Sequence, residues 1–381
     1  MFHPAMTTLR LTTALALNLC LLTTMKSLSA ASDADGVQFL PFAAFSSFTK
    51  LRDAATGETV LTSPEICARQ PWDELIVSWN TGVSADNWLT IEVRAIYPDH
   101  PTRWFTMGRW ALDPTLHPRT SVRGQQDADG HVDTDTLILK KTAERVQVRV
   151  TLGADGKRKP KLKFLGLALL NRQAVPTPLP PNRAAWGKVI DVPERSQMAY
   201  ENGSVLCSPT TVSMLLAYWS QRLDRAGLDQ GVPEVVKGVY DPEWGGTGNW
   251  VFNTAYAGSF RGLRAYTTRL SDVSELEAFI ARGIPVGLSV CYNRLRGKGR
   301  EPSGHLVVCV GFTKSGDVIV NDPGTSQNVR KTFPRANLID AWAFSKHTVY
   351  LVYPVNTPLP KDRLGHWESP RARQSVSFNY P

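Results

Sequence analysis

The chain has few cysteines and no two of them stand in a C-x-x-C pair. Five occur in 381 residues, at 20, 67, 207, 291 and 309. A structural zinc site therefore has no ligand pattern to rest on. So few thiols over this length also do not make a disulfide framework, which is denser and belongs to smaller domains. After the first thirty or so residues no run reaches the roughly 18 continuous apolar residues that a membrane helix needs. There is no internal repeat. The glycine cluster Gly245-Gly246-Thr247-Gly248 lacks a Walker lysine and does not follow a strand in a βαβ unit, so nucleotide binding finds no support. The basic cluster Lys157-Arg158-Lys159-Pro160-Lys161 comes without any nucleic-acid module signature and reads as a solvated hairpin tip.

Acidic residues are also missing before Asp33. There Arg10 precedes an apolar run, Leu11 to Leu22, and small residues follow at Ser29-Ala30-Ala31. This is the form of a secretory signal peptide over 1–31, cleaved near Ala31, with a retained anchor as the alternative because of Lys26. The expected location is outside the cytoplasm of a bacterium. Loss of Arg10 and Lys26 lowers the formal charge of +9 by two, to +7. A basic balance favours anionic partners such as cell-surface polymers, through long-range attraction, or serves solubility alone. Hydrophobic content of 42% with 20% charged residues fits a globular chain long enough for two domains.

From about residue 70 to 171 the pattern alternates. Ile91 and Val93 interleave with Thr90, Glu92 and Arg94, and Val146, Val148 and Val150 with Arg145, Gln147 and Arg149. Turn signals such as Ala128-Asp129-Gly130 separate these runs, which predicts an all-β sandwich over 33–172, jelly-roll-like rather than immunoglobulin-like. Trp79, Trp88, Trp104 and Trp110 fall in or beside its strands and are expected mostly in its core. Val175-Pro176-Thr177-Pro178-Leu179-Pro180-Pro181 then forms a stiff linker, within 173–187. The second domain, 188–355, places helices first and a run of strands afterwards, an α+β order. Asn249 caps one helix, and Asp272-Val273-Ser274-Glu275 has the form of a capping box opening another. Residues 356–381 read as a basic, proline-rich tail, expected to be mobile.

Cys207 is the residue around which chemistry gathers. Ser208 can cap a helix whose first turn carries Pro209 and whose buried stripe is Val212, Leu215, Leu216 and Trp219. A thiol beside a helix N-terminus is biased toward thiolate. His305 opens the apolar strand His305 to Thr313, and Val318 to Asp322 returns to end in a carboxylate. A hairpin of this length brings imidazole and carboxylate to one end of a sheet. Cysteine, histidine and aspartate in that order are the parts of a thiol hydrolase. An oxyanion then needs donors: the Cys207 N–H and an upstream amide, Gln197, with Asn202 as the alternative. Gly248, Asn249 and Trp250 are candidates for the substrate cleft, against a purely structural turn. Cys291 and Cys309 are either bridged or two buried thiols. No cofactor or metal is implied.

Val192 to Gln197, Cys207 to Met214, Gly246 to Trp250, Gly304 to Val308 and Val320 to Pro323 together resemble the papain-like cysteine peptidases related to the bacteriocin-processing, double-glycine leader family. More narrowly they resemble a secreted bacterial branch of "peptidase C39-like" domains, here over about 185–355. Trp110-Ala111, Ser121 to Gln125 and Val132 to Leu137 are similar to that branch's N-terminal β-rich domain. The resemblance implies Cys207 as nucleophile, His305 as general base and then acid, Asp322 as its orienter and Gln197 as oxyanion donor. Ser208 stands where the processing enzymes have glycine, the Gln-to-Cys spacing is longer, and no transporter follows, so export-coupled leader removal is not implied.

The resulting expectation is a secreted peptidase or amidase that hydrolyses an amide through an acyl-thioester on Cys207. Acyl transfer from the same thioester is open. So is a non-catalytic role, as a papain-fold or β-sandwich protein binding a glycan or cell-wall polymer.

Overall fold

A computed structural model describes residues 36–368 except 83, 157, 158 and 177. The signal-peptide reading, Lys157-Arg158 and the last residues of the tail lie outside the described residues. Nine strands make up the first half: β1 (Val37–Phe42), β2 (Thr49–Arg52), β3 (Thr59–Thr62), β4 (Ile66–Gly82), β5 (Asn87–Ile96), β6 (Phe105–Ala111), β7 (Gly130–Asp133), β8 (Thr136–Ala154) and β9 (Lys161–Leu170). They form one antiparallel sheet rather than the expected two-sheet sandwich, with β1-β9-β4-β8-β3-β2 as its path and β5, β6 and β7 joined to it through β8.

The long strand β8 is the reason. Its first part pairs with β7 and β4, its second with β5 and β3, and β4 shifts register against it between Cys67 and Trp72 and between Trp72 and Glu74. Such irregularities bend a strand, so a single sheet curls round and packs on itself. Alternating burial along β5 is what one buried face produces. Of the four tryptophans expected mostly in the core, Trp79 and Trp110 are fully buried. The guanidinium groups of Arg94 and Arg149 both lie over the Trp104 ring, and Trp88 stacks on His117.

The second half contains α1 (Cys207–Leu223), α2 (Val232–Val239), α3 (Trp250–Ser259), β10 (Leu263–Arg269), α4 (Val273–Ala281), β11 (Val286–Cys291), α5 (Tyr292–Leu295), β12 (Gly304–Phe312), β13 (Val318–Asn321), β14 (Arg330–Phe333), α6 (Arg335–Ala343) and β15 (Thr348–Pro354). Its antiparallel sheet runs β10-β15-β11-β12-β13-β14. Cys291 faces Gly304 across the β11–β12 pair and Cys309 faces Val286 at its other end, so the two thiols are separate, free and buried.

The two halves form one compact unit. From Trp72 to Thr81, β4 is buried without alternation, which requires cover on both faces. That cover includes the edge strand β10. Ser78 Oγ accepts the Thr267 N–H at 2.9 Å, Asn80 Oδ1 accepts the Ala265 N–H at 3.1 Å, and Asn80 Nδ2 donates to the Ala265 carbonyl at 2.6 Å. Residues i and i+2 of one strand thus satisfy the open edge of another sheet. The proline-rich connection is strapped to the second half, where the Asn182 N–H and Trp186 Nε1 both donate to Glu277. Mobility of the tail is corrected for 356–368. Trp367 is buried against Phe279, and Glu368 pairs with the guanidinium of Arg264 at 2.8 Å.

Candidate functional site

Helix α1 begins at Cys207 itself, after a short helical turn over Gly203–Val205, with Leu206 as its cap residue. The expected Ser208 cap is therefore corrected. The Ser208 hydroxyl is engaged with the Tyr350 hydroxyl at 2.8 Å, and the Leu206 carbonyl already accepts from Thr210 through both its N–H and its hydroxyl. The thiol lies within the first turn, where helical N–H groups have no intrahelical partner. The Cys207 N–H indeed has no partner among the described residues.

β12 and β13 carry the other two groups. His305 Nε2 is 2.8 Å from Asp322 Oδ1, leaving Nδ1 for the sulfur. Asp322 Oδ1 also accepts the Gly324 N–H at 2.9 Å, and Oδ2 accepts the Tyr292 hydroxyl at 2.7 Å. Tyr292 lies on the imidazole face with ring centroids 4.1 Å apart. A Cβ added to Gly324 would stand 3.0–3.2 Å from atoms of both His305 and Asp322, so no side chain fits there freely.

The electrostatics follow. Burial pushes the Cys207 thiol up, but His305, through hydrogen bonding and charge, and the N–H groups of Leu306 and Ser208 outweigh it, and the thiol titrates below its ordinary value. Burial opposes a charge on His305 as well. Asp322 and the thiolate overcome this and raise the imidazole to about 9. The Asp322 carboxyl, pushed up by burial, is held low by His305, Tyr292 and Gly324. The pair is thus biased toward thiolate and imidazolium.

Gln197 is buried in a short helical turn whose carbonyl closely abuts Gly203, on the segment leading to Cys207. Its Oε1 is buried without a partner, and its Nε2 donates to nothing among the described residues. Asn202 is an exposed turn residue with positive φ. Gly248 and Trp250 do line a cavity of about 480 Å³ together with Cys207 and His305. Asn249 does not and is corrected to a structural residue. Its Oδ1 accepts the Phe252 N–H, and its Nδ2 donates to the buried Asp241.

Three features of the site go beyond the site residues expected from the sequence. Tyr292, set against His305 and Asp322 rather than in the cavity lining, is one. Trp244 is another: its indole lies on the backbone of Gly246 and Gly248, where an added Cβ would meet the ring at 2.8 and 2.5 Å. The third is the β7–β8 turn, through which Asp133 to Thr136 of the β-rich half line the same cavity. The Asp135 carboxylate accepts the Trp250 N–H at 2.7 Å, at the start of α3. Nearby, Ser121 donates its N–H to Asp241, and Arg119 donates to the carbonyls of Lys237 and Tyr240 at the end of α2. The β-rich half therefore braces the cleft loop and forms part of its wall.

A mixed α/β domain with a cysteine at a helix start, coupled to a histidine–aspartate pair on adjacent strands, has the constellation of a cysteine hydrolase. Residues 28–169 match the family model described as Peptidase C39 N-terminal domain, and residues 189–350 that of the Peptidase C39 like family. Each half of the chain thus matches a model of the C39-like peptidases, the first their N-terminal domain and the second the peptidase-like domain itself. Among solved structures it is similar to one from Bacillus anthracis assigned to the C39-like peptidases, at 18% identity over 45% of this chain and 99% of that one, with a TM-score of 0.36. A family two carbohydrate esterase from Cellvibrio japonicus matches at 15% identity over 49% of this chain and 50% of its own, with a TM-score of 0.18. No curated protein matches the chain.

Proposed function

We propose that the protein is a cysteine peptidase or amidase. The observation that carries this is the coupling of a first-turn helix thiol to His305, itself held by Asp322 at 2.8 Å. The Cys207 thiolate attacks the amide carbonyl carbon. The resulting oxyanion takes the unpartnered Cys207 N–H and Gln197 Nε2. The His305 imidazolium gives its proton to the departing nitrogen as the C–N bond breaks, leaving a thioester and a neutral imidazole. His305 then takes a proton from water, whose oxygen attacks the thioester carbon. Collapse releases the carboxylic product and restores the thiolate with an imidazolium. The geometry of the second half supports a papain-like arrangement. The apolar Leu11 to Leu22 run supports action outside the cytoplasm on a peptide or other amide, with the basic surface favouring an anionic polymer nearby.

The test is the pH dependence of iodoacetamide alkylation at Cys207, read by peptide mass mapping, in the parent and in His305→Ala. Labelling should persist well below pH 7 and collapse in the variant. Labelling that rises only near the ordinary thiol value, alike in both proteins, refutes the pair. Amide cleavage should disappear in Cys207→Ala, and product analysis with an added amine separates hydrolysis from acyl transfer.

A further inference from the structure

One end of the catalytic cavity has a chemistry that the reaction itself does not use. Apart from the Cys207–His305 pair, its ionisable lining residues are Asp133 and Asp135, and no lysine or arginine lines it. The Asp133 side chain is exposed and without an ion pair or hydrogen bond among the described residues. Asp133 also lines the adjoining cavity together with Arg123, whose guanidinium is paired with Glu243 at 3.6 Å. Trp244, Trp250 and Phe344 supply aromatic rings to the lining of the catalytic cavity. Ser289, only 5% exposed, lines the same cavity, and its hydroxyl has no partner among the described residues. Open to the cavity, that hydroxyl is free to accept a hydrogen bond from a ligand. Aromatic faces beside carboxylates attract a cation from a neutral or anionic rival.

The turn that carries these carboxylates is itself unusual. Asp133 and Thr136 are paired, so the hairpin has a two-residue loop, and Thr134 adopts φ of 55°. A β-branched residue in the left-handed region is strained, and glycine is the ordinary choice there.

We propose that this end of the cleft is a subsite for a cationic side chain, an alkylammonium or guanidinium group next to the scissile amide. Asp133 of the β-rich domain is its specificity-determining residue. The aromatic rings flank the cation, the Ser289 hydroxyl accepts one of its N–H groups, and Asp133 supplies the countercharge. The N-terminal domain thereby selects substrate for the thiol of the other domain. This rests on the reading of Cys207 as a reactive thiolate.

The test uses two small thiol reagents on the full chain, cationic 2-aminoethyl methanethiosulfonate and neutral methyl methanethiosulfonate. With either, the thiolate sulfur bonds to the reagent's sulfenyl sulfur and methanesulfinate leaves. The ratio of their second-order rates at Cys207 is divided by the same ratio for 2-mercaptoethanol. It should exceed unity by roughly tenfold despite the positive charge of the whole chain. Asp133→Asn should lower it by roughly threefold or more, and Asp133→Glu, which restores the charge, should recover it. A ratio near unity in the parent, or one that Asp133→Asn leaves unchanged, overturns the subsite while the thiolate stands. If Cys207 reacts with neither reagent faster than an ordinary thiol, the thiolate reading fails and the subsite falls with it.

Discussion

Asn80 offers the most direct test of how the two halves are joined. Its side chain is fully buried, accepts the Ala265 N–H at 3.1 Å and donates to the Ala265 carbonyl at 2.6 Å. Asn80→Ala leaves both backbone groups of an edge strand buried and unpaired. Each such orphan costs about 1–3 kcal/mol, so the variant should lose about 2–6 kcal/mol. Ser78→Ala orphans the Thr267 N–H and gives up only a long, 3.5 Å donation to the Thr267 carbonyl, and should cost about 1–3 kcal/mol. Asn80→Asp should be worse than alanine, because one carboxylate oxygen would then face the Ala265 carbonyl with no proton between them.

Urea unfolding, followed by tryptophan fluorescence and by far-ultraviolet circular dichroism, reads these losses as shifts of the midpoint. A second comparison checks the packing. A Cβ on Gly258 would collide with the Asn80 amide, so Gly258→Ala should be costly in the parent and much cheaper in Asn80→Ala. If Asn80→Ala unfolds within about 0.5 kcal/mol of the parent, the side-chain ladder does not hold the halves together and the reasoning fails.

Two further perturbations probe the cleft. Burial raises the Asp135 carboxyl from 3.8 to about 6, so the folded state prefers it protonated. Its favourable contribution is complete below the unfolded value and fades as pH rises through the folded one. Asp135→Asn should then match the parent in stability near pH 3 and exceed it by about 3 kcal/mol above pH 7, as thermal melts across pH would show; a pH-independent difference would count against it. Gly324→Ala presses a methyl group against His305 and Asp322 and should loosen their hydrogen bond. The imidazole would fall from about 9 toward its ordinary value, and the alkaline limb of Cys207 alkylation would move to lower pH. Superimposable profiles for the two proteins would refute this.

How much of this was legible in the sequence depends on how local each signal was. The strand carrying His305 and the returning strand ending at Asp322 announced themselves by apolar runs and a turn. Their register then followed from hairpin length. The start of α1 was misplaced by two residues because serine before proline is a good cap, and only the contact with Tyr350, remote in the chain, shows why that hydroxyl is occupied. Alternation along β5 is equally compatible with a sandwich and with one curled sheet. The deciding feature is that β8 stays one strand for 19 residues while changing partners. The apolar run Phe164 to Leu170 was the available sign of cover on both faces of β9. Tyr292 had no motif to mark it. Its place beside His305 depends on the β11–β12 register, in which Cys291 faces Gly304.

The two segments of the β-rich half that carried the family resemblance, Ser121 to Gln125 and Val132 to Leu137, include residues that reach across to the other half. Ser121 binds Asp241, which in turn holds Asn249, and Asp135 binds the Trp250 N–H. These contacts fix both ends of the loop on which Trp244 lies. A free-standing binding module would spend such residues on its own ligand face. Here Ser121 braces the loop behind the cleft and Asp135 lines the cavity that contains Cys207. Fusion of the two domains is thereby a matter of site construction, because Asp133 to Thr136 of the first supply one wall of the cleft that holds Cys207 and His305 of the second.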